Sequence, residues 1–273
     1  MEKKGNIPRY RIGEYARYMG VTPDFLKHYE QFHLISSETM ENGYRYYPFY
    51  QSGKILECMK LRNYGVSIRD MEVLLNDDDA ETAHARLGQR VHEIEKQIAF
   101  HQAILEEYRL FSAWMERMHD KTEDWYVAEC EEMYFLPHSN QYDFLDDDRI
   151  YSVLKSWVSF MPMVKSCMEI RTPGEKDYSW GLIVPAAFAE IHEIPINGIV
   201  RRLPKRKTLF CDFRSKIYRQ TDSRTLPRDD LAEERLKKLG LSHTGSIYKV
   251  LLMYNHVNSD TMQENGYFIV PVE

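Results

Sequence analysis

No part of this 273-residue chain carries more than a few consecutive apolar residues, so no membrane-spanning helix is expected. The opening residues, MEKKGNIPRYRIGEY, lack the apolar core of a signal peptide. Only four cysteines are present, Cys58, Cys130, Cys167 and Cys211, and no two form a CxxC pair. That excludes a disulfide framework or a zinc finger and suggests a reducing, cytoplasmic setting. No GxSxG, HExxH or P-loop occurs, so no standard catalytic motif marks an enzyme, and nothing calls for a cofactor or a metal. Positive charge is also scarce: 36 Lys+Arg stand against 42 Asp+Glu, a net −6. Residues 1–76 nevertheless carry +2 and residues 197–273 carry +5, while residues 124–196 carry −8. The N-terminal excess is modest, so charge alone is a weak argument for nucleic acid.

What is plentiful is aromatic: 19 Tyr, 12 Phe and 4 Trp. With 43% hydrophobic and 29% charged residues the chain reads as soluble and globular, neither disordered nor collagen-like. Three segments are visible. Residues 8–76 carry short helical patterns, residues 80–118 read as one long helix, and residues 124–273 read as mixed strands and helices.

The first segment predicts a helix over 12–18, broken by Gly20. Thr22 suits an N-cap, Pro23 the first helical position and Asp24 the positive end of the dipole, giving a second helix over 23–31. Two short helices joined by a glycine turn make a helix-turn-helix, with Ala16 and Leu26 at its core positions. An ordinary helical hairpin fits the same stretch. NGYRYY (Asn42 to Tyr47) then reads as a short β-wing. Pro48 opens a third helix ending near Tyr64, Gly65 stops it, and Ser67 and Asp70 form a capping box for a fourth.

YRIGEYA, GVTPDFLKHYEQ, NGYRYY and LRNYGVSIRDMEVLL, in that order, resemble the N-terminal domain of the MerR family of transcription regulators. The resemblance covers about 70 residues and implies a winged helix-turn-helix whose second helix enters the major groove while the wing grips phosphate. It implies Thr22, Lys27, His28 and Tyr29 at the groove, Arg45 and Tyr46 on phosphate, and Tyr64 among the DNA contacts. Where the family usually has Leu-Arg-Tyr-Tyr-Glu, this chain has Leu26-Lys27-His28-Tyr29-Glu30. Lys27 keeps the charge but not the planar fork that reads guanine bidentately. The family further implies promoter DNA and RNA polymerase as partners. Its metal sensors are expected to carry cysteines near the dimer helix, and this chain has none from Met59 to Glu129.

The long helix shows its own periodicity. Leu87, Val91, Ile94, Ile98, His101, Leu105 and Tyr108 repeat at alternating spacings of four and three, an a/d seam. A homodimer through a coiled coil is expected, with Leu87, Val91, Ile94, Ile98 and Leu105 in the seam. A surface helix packed on its own chain is the alternative.

The third segment repeats a pattern. Strand 125–136, helix 148–160 and strands 166–171 and 179–185 are echoed by strand 207–214, helix 228–239 and strands 245–254 and 266–272. The expected fold is therefore α+β: a winged helix-turn-helix, a coiled-coil helix and a duplicated β-α-β-β domain. Its two units should share one antiparallel sheet, with helices on one side and a concave ligand face on the other. The order, with WGLIVP and GYFIVPV, resembles the GyrI-like effector-binding domain of the multidrug-sensing, BmrR-like branch. Aromatics available for a ligand cage are Tyr126, Tyr134, Tyr151, Trp157, Trp180, Phe210, Tyr248, Tyr254, Tyr267 and Phe268, of which strand alternation lets about half share a face. Tyr126, Tyr151, Trp180, Phe210, Tyr248 and Tyr267 are the chosen set, with Tyr151 placed by the resemblance. A lipophilic, aromatic and possibly cationic compound is the expected ligand. That branch buries a glutamate on a late strand; residues 246–252 hold no acid, which leaves Glu169, Glu190 or Asp212 as substitutes. The same three carboxylates would be the bases of a small-molecule hydrolase, the alternative reading. A ligand-independent repressor is the other.

Overall fold

The computed structural model describes residues 7–172, 177–218, 229–258 and 261–273. Two compact units divide the chain, Met1–Ile98 and Ala99–Glu273. No described helix is long and apolar enough to cross a membrane.

The first unit begins with strand β1 (Arg9–Arg11), helix α1 (Ile12–Met19) and helix α2 (Pro23–Gln31). Gly20 sits between the helices at φ +67°, a conformation that costs a side chain energy and glycine nothing. Thr22 Oγ1 accepts the Phe25 N–H at 3.1 Å, satisfying one of the free donors of α2. Strands β2 (Glu38–Thr39) and β3 (Arg45–Pro48) form the wing, and β1 pairs with β3 to complete a three-stranded sheet. Pro48 closes β3 opposite Arg9 rather than opening the next helix, because the chain must still turn through Phe49 and Tyr50. Helix α3 (Gln51–Asn63) follows, then Gly65 at φ +76°, then helix α4 (Ile68–Asn76), where Ser67 Oγ accepts the Asp70 N–H at 3.2 Å. Tyr15, Ala16, Leu26, Tyr29, Leu34, Tyr47, Ile55, Leu61 and Met71 make one core. Truncating Leu26 there to alanine costs about 2–5 kcal/mol.

Helix α5 (Ala80–Arg117) is 38 residues long. Of the expected seam, Leu87 is partly buried against the core of the first unit, alongside Ala83. Leu87 is therefore packed in part on its own chain. Val91, Ile98 and Leu105 are half exposed, His101 is exposed, and Ile94 is intermediate.

The second unit holds β4 (Glu123–Cys130), β5 (Met133–Pro137), the short pair β6 (Ser139–Asn140) and β7 (Asp143–Phe144), and helix α6 (Asp148–Ser159). Then come β8 (Lys165–Thr172), β9 (Asp177–Pro185), helix α7 (Ala186–Ile191) and β10 (Arg201–Leu203). The second half supplies β11 (Arg206–Tyr218), helix α8 (Asp229–Leu239), β12 (Ile247–Asn258) and β13 (Thr261–Pro271). Eight strands form one antiparallel sheet in the order β10-β5-β9-β8-β12-β13-β11-β4. The stretch expected as one strand, 125–136, is two: β4 lies at one edge and β5 next to the other. Polar Glu131 and Glu132 break the alternation between them. Alternation assigns the faces. Met168, Ile170, Leu182, Val184, Leu209 and Val270 face the helices, packing against Ile150, Val153 and Trp157 of α6 and Leu236 of α8. Phe135, Cys167, Ile183, Tyr248, Val250 and Ile269 share the opposite face. That face is not bare: the end of α5 covers part of it, with Trp114 buried and Glu107 paired to Lys165 of β8 at 3.0 Å.

Candidate functional site

In the first unit, the cap at Thr22 fixes the entry of α2, and Thr22, Lys27 and His28 are each exposed. Lys27 pairs with Asp24 at 3.1 Å, an exposed contact that solvent screens. The His28 ring stands edge-on to Phe32 at 5.2 Å. Tyr29 does not join them. Its side chain is 5% exposed and its ring stacks on Phe25 at 4.0 Å, so it belongs to the core and offers no face to a groove. The reason is geometric: on α2 it is three residues from buried Leu26 and shares its stripe.

On the wing, Arg45 is exposed and reaches Glu30 at 3.4 Å, while Glu30 also accepts the Tyr47 hydroxyl at 3.1 Å. Tyr46 is held below the usual phenol range, first by the Arg11 side chain and then by Asn42. Arg11 is the wing residue that sequence reasoning missed. β1 pairs Arg11 with Tyr46, and its guanidinium lies over the Tyr44 ring at 4.9 Å. Arg9, one pleat period away, pairs with Glu38 of β2 at 2.5 Å. The signal was the alternation Arg9-Tyr10-Arg11 before the first helix, too short to read as a strand. Tyr64 is half exposed, and its carbonyl accepts Arg90 Nε at 2.8 Å.

In the second unit, β8 and β12 join the two repeats through four register pairs only, from Ile247↔Ile170 to Val250↔Cys167. Beyond them β12 is bulged at Leu251/Met253 and the strands part. A cavity of about 580 Å³ opens there, lined by His138, Tyr142, Phe144, Trp180, Leu251, Tyr254, Met262 and Glu264 among others. By alternation Trp180 and Glu264 point to the helix side, so this cavity is not on the opposite face where the pattern placed the ligand. His138 sits 5.7 Å from the Phe144 ring, and burial holds its imidazole below the ordinary histidine range. Glu264 is 2% exposed, ion-paired with Lys249 and within 3.3 Å of the Tyr254 hydroxyl.

A second cavity, about 410 Å³, lies between the end of α5 and the opposite face. Tyr126, Phe210 and Tyr267 line it, with Trp114, Asp212 and Cys130. The six expected ligand residues are thus divided. Trp180 lines the junction cavity, and three line the second. Tyr248 is core, its hydroxyl directed at Glu169 at 3.3 Å. Tyr151 is 48% exposed and donates its hydroxyl to the Leu145 carbonyl at 2.9 Å, outside both linings. Of the wider aromatic set, Trp157 is core, donating Nε1–H to the Pro195 carbonyl at 2.9 Å, while Tyr134 and Phe268 pack at the core margins on the helix side.

The three candidate carboxylates are engaged. Arg201 holds Glu169 by two bonds of 2.8 and 2.6 Å. Asp212 is ion-paired with Arg117. Glu190 is exposed and accepts from the Tyr134 hydroxyl at 3.4 Å. Burial raises the Cys58 and Cys130 thiols to about 11 and pushes Cys167 and Cys211 up as well, which disfavours the thiolate that metal binding needs. Among the described residues no group of three or more His, Cys, Asp or Glu could hold a metal ion.

Residues 10–78 match the family model of MerR HTH family regulatory proteins. The HTH-type transcriptional regulator ZntR of Escherichia coli (strain K12) is 31% identical over 97 residues, which is 33% of this chain and 69% of ZntR. The EcmrR chain of the cryo-EM EcmrR-DNA complex in EcmrR-RPo is 16% identical at a TM-score of 0.40, covering 97% of this chain and 99% of that one. HiNmlR, a MerR family regulator lacking the sensor domain and bound to promoter DNA, is 18% identical at a TM-score of 0.32, covering 41% and 94%. On the strength of the family model and of ZntR, the chain belongs to the MerR family of helix-turn-helix regulatory proteins.

Proposed function

We propose that this chain is a ligand-responsive transcription regulator that binds promoter DNA through its first unit and senses a lipophilic aromatic compound in its second. The observation that carries the sensing half is the cavity at the repeat junction. It is large enough for a drug-sized molecule, lined by Tyr142, Phe144, Trp180 and Tyr254, and placed where the pairing of two halves stops. The GyrI-like reading of the second unit rests on its duplicated strand-helix-strand-strand order, carried by one eight-stranded sheet.

DNA binding rests on the family, on the exposed Thr22, Lys27 and His28, on Arg9 and Arg11 beside the wing and on Arg45 within it. Bound as a homodimer, with the half-exposed Val91, Ile98 and Leu105 of α5 against a second copy, the protein spans two half-sites. It distorts the promoter presented to RNA polymerase, and ligand shifts the balance by binding one state better than the other. The enzyme reading has less support, since Glu169 and Asp212 are both neutralised by guanidinium groups. The test is fluorescence anisotropy of labelled promoter DNA against full-length protein, with and without a panel of aromatic compounds. Saturable binding that a compound shifts is expected. No sequence-specific binding, or binding that no cavity-directed compound or Trp180→Ala alters, would overturn the reading.

A further inference from the structure

Buried charge is rare unless it is paired, and here a complete ion pair sits beneath a cavity. Glu264, on β13, contributes to the cavity wall at the repeat junction. Lys249, on β12, does not reach the cavity and is 1% exposed. Its ammonium contacts the Glu264 carboxylate and lies 5.2 Å from the Phe213 ring centroid, so it is bound by an anion on one side and an aromatic face on another. The Tyr254 hydroxyl donates to the second carboxylate oxygen at 3.3 Å. The carboxylate seen from the cavity therefore already has its cation, supplied by the chain itself.

We infer that Lys249 is the specificity-determining residue of this cavity, acting as an internal counter-ion that selects uncharged aromatic ligands over cationic ones. The inference rests on the reading of the junction cavity as the effector site. A ligand cation entering the cavity gains little from a carboxylate that Lys249 has neutralised, yet still loses its hydration. To gain the ion pair it must displace an ammonium that is itself only 1% exposed, at a further cost in buried charge. A neutral compound of the same shape gains the aromatic contacts of Phe144, Trp180 and Tyr254 without either cost. Lys249 acts through Glu264 and is a positioning residue for the charge of the wall, without touching the ligand.

Three tetrahedral tetraphenyl probes of one shape separate charge from size: tetraphenylphosphonium, neutral tetraphenylsilane and tetraphenylborate, each titrated into the full-length protein by calorimetry. Wild type is expected to bind the silane more tightly than the phosphonium by about tenfold or more. Lys249→Met uncovers Glu264 and should reverse that order. Glu264→Gln, which keeps the Lys249 ammonium and removes the carboxylate it neutralises, should instead raise tetraphenylborate affinity by about tenfold. Should Lys249→Met fail to fold by circular dichroism, Glu264→Gln decides alone. A wild-type preference for the phosphonium, or the same probe order in wild type and the folded variants, overturns the counter-ion role. Trp180→Ala reports on the underlying reading: probe affinities that it leaves unchanged, or no binding of any probe, overturn the effector site and this inference with it.

Discussion

Tyr29→Ala tests whether α2 is a surface with a core beneath it or a continuous row of contacts. The Tyr29 ring is 5% exposed, stacks on Phe25 at 4.0 Å with planes 20° apart, and belongs to the cluster of Leu26, Leu34 and Tyr47. Removing a buried aromatic leaves a cavity that a small unit cannot refill, at about 3–5 kcal/mol. That is a large share of the total for a domain whose net stability is about 5–15 kcal/mol. Lys27, two positions earlier, is exposed and tied to Asp24 by an exposed contact of 3.1 Å. Lys27→Ala should therefore change stability by no more than about 0.5 kcal/mol. Hydrogen exchange of the α2 amides, read beside anisotropy on promoter DNA, separates the two. Tyr29→Ala should lose protection across α1 and α2 and lose DNA binding with it, whereas Tyr29→Phe, which keeps the ring, should retain both. Lys27→Ala should keep full protection and lose affinity. If Tyr29→Ala kept wild-type protection and still lost DNA affinity as Lys27→Ala does, the burial argument would be refuted and Tyr29 returned to the groove.

Arg45→Ala should weaken binding to specific and random DNA alike and lower the salt slope by about one, because a phosphate contact carries no sequence information; an unchanged slope at full affinity defeats the assignment. Ile98→Asp should dissociate a dimer without unfolding the chain, since Ile98 is 51% exposed, whereas Leu87→Asp should destabilise the first unit itself. Sedimentation with circular dichroism checks both, and a monomeric wild type at micromolar concentration removes the dimer. Thr22→Ala should cost the first unit about 1 kcal/mol in urea unfolding by opening the α2 cap, and equal midpoints would show that the cap is idle. Burial lowers His138 and His192 below the ordinary value of 6.5, so the unfolded chain binds more protons than the folded one just below that pH, and stability should fall as pH drops through 6.5. His138→Gln should make that fall shallower, and parallel curves for variant and wild type between pH 7 and 5 would remove His138 as a cause.

The first unit was legible because its signals are local. Thr22 caps the helix that Pro23 begins, Gly20 and Gly65 turn where left-handed backbone is required, and Ser67 caps α4, all within a few residues in sequence. Where the same unit was misjudged, the cause was a contact between elements. Arg11 joins the wing only because β1 pairs with β3, and Tyr29 leaves the surface only because Phe25 and the core of α1 and α3 lie beside it. The same distinction governs α5. A seam of alternating fours and threes fixes which residues share a stripe, but it does not fix what covers them, and Leu87 is partly covered by its own chain.

In the second unit the duplicated order was legible and the cavity was not. Alternation says which residues share a face of one strand; it does not say which strand is the neighbour. β4 and β5 are continuous in the sequence pattern yet lie at opposite sides of the sheet, so Tyr126 faces α5 while Tyr134 packs beside α6. Glu264 shows the same limit at the level of chemistry. It lies well outside the acid-free stretch 246–252, on the next strand, and only the register Tyr254↔Glu264 brings it to the cavity wall. The bulge at Leu251/Met253 supplies the rest: it shifts Tyr254 onto the face of Glu264, so that carboxylate, phenol and the Lys249 ammonium converge from two strands whose sequences separately give no hint of an ion pair. A one-residue insertion, not a motif, thus decides what the cavity presents to a ligand.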